Sequence, residues 1–308
     1  GAFNDTQAQE MAGHAIAEAV KRSKVSKEEI DDVIIGAAGQ QGSQQGNIAR
    51  QSLLRAGLPV SVAGMSLDRQ CASGMMAIAT AAKEITEDGM TITVGGGVES
   101  VSLVRNENFR MDRARDPWLE ENIPALYMTM IETAENVAKR YDISREAQDE
   151  YSLQSQMRTA KAQQNGYMDK EIVPLKSTMK YKDKETGEIS SHDVCIEKDE
   201  GNRPSTTFEG LSALKPVFKD GIYLKEGEYI TAGNASQLSD GASASVLMEA
   251  REAEKRNLSP LGAYRGIAVA GCAPDEMGIG PIYAVPKLLK KHGLKICLLY
   301  TSPSPRDP

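Results

Sequence analysis

The first candidate for chemistry is the cysteine in Asp68-Arg69-Gln70-Cys71-Ala72-Ser73-Gly74. Residues from Val62 to Leu67 read as a short strand and those from about Ala72 to Glu87 as a helix, so Cys71 falls at a strand-to-helix junction. There the unpaired N–H groups of a helix start and the helix dipole favour negative charge on sulfur. A thiolate can attack a thioester carbonyl and hold the acyl group, dividing one difficult transfer into two easier ones. Small residues at 72, 73 and 74 leave room for a substrate. The competing reading is a cysteine packed as a small apolar core residue, the usual fate of a free thiol.

The remaining cysteines, at 195, 272 and 297, form no CxxC pair and no disulfide spacing, which fits a reducing compartment and argues against zinc. They read as packing residues. His14, His192 and His292 belong to no catalytic pattern. Gly95 to Gly97, followed by Glu99 and Ser100, lack the GxGxxG spacing and the lysine of a nucleotide loop, so a tight strand exit is the simpler reading. A formal charge of −7 opposes a general nucleic-acid surface. No apolar stretch approaches the ~20 residues that span a bilayer. A cytoplasmic location is expected, although a targeting segment could precede Gly1.

Several elements must position these residues. Apolar positions from Ala8 to Val20 follow helical spacing, with Asp5 or Thr6 as the expected N-cap. Ser26 and Glu29 form a capping box. Asp32 to Gly39 reads as a strand buried on both faces, and further strands are expected at Met90–Gly95 and Ala263–Ala270. Strand and helix alternate, which predicts a mainly parallel, layered α/β sheet, while 308 residues suggest about two domains. After Ser102 the rhythm breaks. Helical spacing returns at Ile131–Tyr141 and after Ser144, a charged, turn-rich stretch covers 176–203, and the α/β pattern resumes at Tyr229.

Seven segments, GAFNDT, GNIARQ, DRQCASGMMA, GGGVESVS, TAENVAKRY, TAGNASQLSDGA and MGIGP, occur in the order in which they occur in thiolases. The chain therefore resembles the thiolase family over about residues 1–295. The resemblance implies a layered α-β-α-β-α core: residues 1–103 with 240–261 form the N-terminal half, 104–239 an inserted CoA-binding loop domain, and 262–296 the start of a C-terminal half. It implies acyl transfer between acyl-CoA and CoA through an acyl-Cys71, with CoA thioesters as substrates and no resident cofactor or metal. It places Arg203 at the adenine and phosphate end of CoA, Phe218 at the adenine pocket, Met130 and Met277 along the pantetheine channel, and Ser236 as an amide-binding serine. A homodimer or homotetramer is implied for the parent protein.

The chain also departs from the family. Thr129 stands where several short-chain thiolases have histidine, and Gly210 where they have a CoA-contacting serine. The asparagine, GHP and CxGGG motifs of the second half do not occur, and CLLYTSPSPRDP (297–308) reads as a non-native tail. The second half is thus expected to be truncated and the 308-residue chain to lack turnover, because acid-base groups for cysteine acylation are missing. Two other functions stay open: a condensing enzyme of the ketoacyl-synthase or hydroxymethylglutaryl-CoA synthase kind, and a non-catalytic CoA or lipid carrier.

Overall fold

The computed structural model describes residues 1–298. In chain order the elements of its first part are α1 (Ala8–Ser23), β1 (Asp32–Gly36), α2 (Ile48–Arg55), β2 (Ala63–Leu67), α3 (Ser73–Glu87), β3 (Ile92–Glu99) and α4 (Val101–Val104). Then come α5 (Pro117–Asn122), α6 (Met130–Arg140), α7 (Arg145–Gln164), β4 (Leu175–Lys182), β5 (Ile189–Ile196), α8 (Phe208–Ser212), β6 (Gly241–Met248), α9 (Ala250–Lys255) and α10 (Gly280–Lys291). The chain divides into two compact units, one of residues 1–110, 173–199 and 238–265, the other of 111–172, 200–237 and the described residues from 266 onward.

The first unit is the expected layered α/β structure. Its sheet has the order β2-β1-β3-β6, with β1 parallel to both β2 and β3 and β6 antiparallel to β3. β1 is buried on both faces because its side chains alternate: Val33 and Ile35 join the core under α1 and α2, while Ile34 meets Ala77 and Ala81 of α3. Two helices therefore cover one face and one helix the other. No described helix is long and apolar enough to cross a membrane, and no described cluster of side chains is arranged to hold a metal ion.

Three local expectations change. Helix α1 begins at Ala8 with Gln7 as N-cap, not Asp5 or Thr6. Both of those side chains have tertiary partners instead: Asp5 pairs with Lys180 at 2.9 Å and the Thr6 hydroxyl meets that of Ser177 at 2.5 Å. Their partners lie on β4, which pairs with β5 as an antiparallel hairpin in the stretch that reads as charged and turn-rich. The hairpin's burial alternates from Leu175 to Lys180, with lysines on its open face, so charge concealed the period of two. Finally, residues 263–270 form no strand, since a strand needs a hydrogen-bonded neighbour and no described residue provides one. The expected non-native tail lies outside the described residues from 299 on.

One buried group works against this core. Glu84 on α3 is only 9% exposed and its Oε2 has no hydrogen-bond partner among the described residues. Burial, and then the carboxylates of Asp32 and Asp88, push it up to about 7 from its ordinary 4.5. A carboxyl raised in the folded state stabilises fully below its unfolded value, and that stability is lost as pH rises through 7. Glu84→Gln should therefore raise the melting temperature by a few degrees at pH 8, with the gain shrinking toward pH 4.5. Thermal unfolding of both proteins across that range measures it.

Candidate active site

Cys71 is exposed and stands one residue before the Ala72 N-cap of α3. No side chain caps that helix; the Ala72 and Ser73 amides at its start donate to the Arg69 and Gln70 carbonyls, both at 3.0 Å, which leaves the helix dipole and the following amides of its first turn to favour a thiolate. The preceding loop is firmly tied. Gln70 adopts a left-handed conformation (φ 47°), unfavourable for a residue with a β-carbon, and local hydrogen bonds hold it there. Asp68 Oδ1 accepts from the Gln70 amide at 2.6 Å, and the Ser73 hydroxyl donates to the Gln70 carbonyl at 2.6 Å. The Arg69 amide in turn donates to the Ser73 hydroxyl at 2.8 Å. Ser73 is thus the organiser of the turn that presents Cys71. A small residue at 73 reads from the sequence as mere space for substrate; the missed signal was its spacing from Asp68, which suits a loop closed by side chains.

Two glycines let α3 lie close on the sheet. A β-carbon at Gly36 would overlap the Ser73 carbonyl, and one at Gly95 would stand 2.7 Å from Ile78 Cα. The glycine run is therefore interior to β3, where the helix rests, and is not a strand exit. Glu99 at the end of β3 accepts from the Ala38 and Gly39 amides, at 2.9 and 3.2 Å, and from the Gln44 side-chain amide at 3.0 Å. Buried Gln44 accepts from the Ser100 amide as well. Glu99 and Gln44 thereby fix the loop that follows β1.

The other five candidate residues belong to the second unit, whose framework is α6 and α7. Glu132 and Glu135 of α6 are 1% and 2% exposed, and each carboxylate accepts from three consecutive backbone amides. For Glu132 these are Ile222, Tyr223 and Leu224, at 2.7–3.1 Å; for Glu135 they are Glu228, Tyr229 and Ile230, also at 2.7–3.1 Å. Their three-residue spacing, shared with buried Ala138, put both acids on the inward face. Phe218 is buried against the Gly221 and Gly227 backbone of the same loop, beside these carboxylates. Met130, exposed, opens α6 behind Thr129, which caps the helix by accepting from the Glu132 amide at 3.2 Å. The residue that replaces the family histidine is therefore a helix cap. Gly210 donates its amide to the Thr207 cap of α8.

Helix α7 carries the rest. Its Asp149, held by Arg145 at 2.8 Å, accepts from Asn234 at 3.0 Å and so fixes the turn that leads to exposed Ser236. Gln156 accepts from the Arg203 amide at 2.8 Å, leaving the exposed guanidinium without a protein partner among the described residues. Gln237 lies against Gly201, so the segments bearing Ser236 and Arg203 adjoin. Met277, exposed, belongs to the short 3-10 segment Pro274–Ile279 packed on α6.

A family profile described as the thiolase N-terminal domain matches residues 1–251. The chain belongs to the thiolase family. It is 38% identical over 302 residues to a 3-ketoacyl-CoA thiolase of Bacillus subtilis (strain 168), covering 96% of this chain and 73% of that protein. It is also 38% identical over 304 residues to a peroxisomal 3-ketoacyl-CoA thiolase of Homo sapiens, covering 96% of this chain and 67% of that one. Among solved structures it matches the Bacillus anthracis acetyl-CoA acetyltransferase with a TM-score of 0.78 and 37% identity, over 96% of this chain and 73% of that one. In this thiolase the family's TAEN and TAGN segments are where buried carboxylate and carboxamide groups gather loop amides.

Removing one such acceptor strands three donors. Glu135→Ala should destabilise the protein by on the order of 3 kcal/mol, since each unsatisfied buried amide costs about 1–3 kcal/mol. Glu135→Gln keeps one acceptor oxygen and should lose clearly less. Urea unfolding of the three proteins supplies the comparison.

Proposed function

We propose that the full-length parent of this chain is an acyltransferase that works as a thiolase, cleaving or forming the carbon-carbon bond of 3-ketoacyl-CoA thioesters, with Cys71 as nucleophile. The observation that carries the reading is an exposed thiol at the uncapped start of α3, on a strained and tightly bonded turn. In the cleavage direction the Cys71 thiolate adds to the C3 carbonyl carbon. The C2–C3 bond then breaks, its electron pair leaves on C2 and takes a proton, and acetyl-CoA departs. The acyl group stays on sulfur until a CoA thiol attacks the new thioester, gives up its proton and releases Cys71. Condensation is the reverse.

For CoA, the guanidinium of Arg203, which has no partner among the described residues, suits the adenine and phosphate groups by stacking and pairing. Met130 and Met277 offer exposed flexible apolar surface to pantetheine, Ser236 an exposed hydroxyl to its amides, and Phe218 a buried backing to the adenine pocket. The reaction asks for no resident cofactor, since CoA thioesters bring their own activated carbon. A reducing, cytoplasmic setting suits four free cysteines. The names of the relatives favour this reading over the other condensing enzymes and over a non-catalytic carrier.

In the full-length parent protein, Cys71→Ser should lower thiolysis by about a thousandfold or more while CoA binding stays within about twofold, because a hydroxyl is a far weaker nucleophile. Mass mapping after exposure to acyl-CoA should find the acyl adduct on the Cys71 peptide; an adduct on Cys195 or Cys272 instead would refute the assignment. We further propose a homodimer or homotetramer as the working form. Sedimentation as a monomer at micromolar concentration would contradict that.

A further inference from the structure

The second unit contains a polar cluster that neither the acyl-transfer chemistry nor the proposed CoA contacts use. It joins the C-terminal half of α6 to the segment Pro274–Ile279. Arg140 reaches two acids at once, pairing with Asp275 through one guanidinium nitrogen and with Glu276 at 2.6 Å through the other. Asn136, one turn earlier, donates to the Asp275 carbonyl at 2.6 Å and to its carboxylate at 3.3 Å. The Tyr141 hydroxyl donates to Glu276 at 2.9 Å. Three side chains from the end of α6 and its C-cap thus converge on two adjacent acids.

Those acids sit at a break in the backbone. Glu276 has φ −132° and ψ 34°, outside the helical region, so the 3-10 segment kinks there, and Met277 is the next residue. A kinked 3-10 segment has few backbone bonds of its own to preserve its shape, and the side chains of α6 add constraint at the half-buried Asp275 and Glu276. Arginine suits that task because its planar fork holds two carboxylates in fixed directions, which lysine cannot do. Asp275 is held below the usual carboxylate range chiefly by its hydrogen bond from Arg140, so it stays charged near neutrality.

We propose that Asn136, Arg140 and Tyr141 are positioning residues for CoA binding: they lock the kink at Glu276 and thereby hold Met277 against the pantetheine arm of the substrate. The proposal rests on the thiolase reading and on Met277 as a CoA contact. None of the three need touch the substrate. Their effect on affinity passes through the conformation of Met277 alone, so it should disappear once the Met277 side chain is gone.

The test is a double-mutant cycle in the full-length parent protein, read by calorimetric binding of CoA and by steady-state thiolysis, with melting temperature followed alongside. Arg140→Gln should weaken CoA binding about fivefold or more, and KM for CoA should rise by more than kcat falls. Arg140→Lys should recover part of the loss and Tyr141→Phe should show a smaller one. Met277→Ala should weaken binding by itself, and adding Arg140→Gln to it should weaken binding no further. Additive effects would mean that Arg140 acts elsewhere and would overturn the proposal. If Met277→Ala weakens binding and Arg140→Gln does not, the clamp is refuted while Met277 keeps its place in the site. If neither changes binding but Arg203→Ala does, Met277 is no contact and the proposal falls with it. Failure of all three variants to alter CoA binding would instead count against the CoA site as a whole.

Discussion

How closely α3 can approach the sheet governs everything about the presentation of Cys71. Side chains at Gly36 and Gly95 would collide with α3 backbone at Ser73 and Ile78, so the helix reaches the end of β1 and the middle of β3 only because those positions carry none. Ile34, Ala77 and Ala81 then fill the shallow space between the layers. The same proximity fixes where the loop from Asp68 to Ala72 must turn. Left-handed Gln70 is the cost of that turn, and the hydrogen bonds of Asp68 and Ser73 offset it. A thiol on such a turn is displayed outward by the strain beneath it.

The second unit solves a different problem with charge. Its loops from Phe218 to Ser236 contain little regular structure, and their amides would be costly to bury unpaired. Glu132 and Glu135 collect six of them, and Asp149 with Asn234 secures the following turn. Each bond from a charged acceptor is stronger than one between neutral groups, so a few side chains on α6 and α7 replace the ladder that a sheet would provide. The loop shape is therefore written on the helices. Apolar residues proposed to meet CoA are set on this polar framework, which is why Phe218 can be buried among amides while Met130 and Met277 remain open.

Both units place residues of suggestive chemistry in supporting roles. Glu99 invites a functional reading because it is charged and follows three glycines, yet its carboxylate is spent on the amides of Ala38 and Gly39. Thr129, which departs from the family pattern, has a clear local duty as the cap of α6. A residue's chemistry suggests several uses, and the neighbours present in space select among them.

The sequence by itself determined the alternation of strand and helix, the buried character of β1, the capping box at Ser26 and the junction that holds Cys71, because these depend on residue spacing along a few turns. Motif order also determined the family. Only the tertiary structure decided that Asp5 and Thr6 bind β4 instead of capping α1, that β6 runs antiparallel, that lysine-rich 175–182 is a strand, and that 263–270 is not. It alone revealed the Arg140 clamp, whose partners lie about 135 residues away. The physical reason is the same in each case: helical and strand periodicity are local properties, whereas a cap, a sheet direction or an ion pair depends on which distant groups the folded chain brings within hydrogen-bonding distance, and no spacing rule along the chain records that.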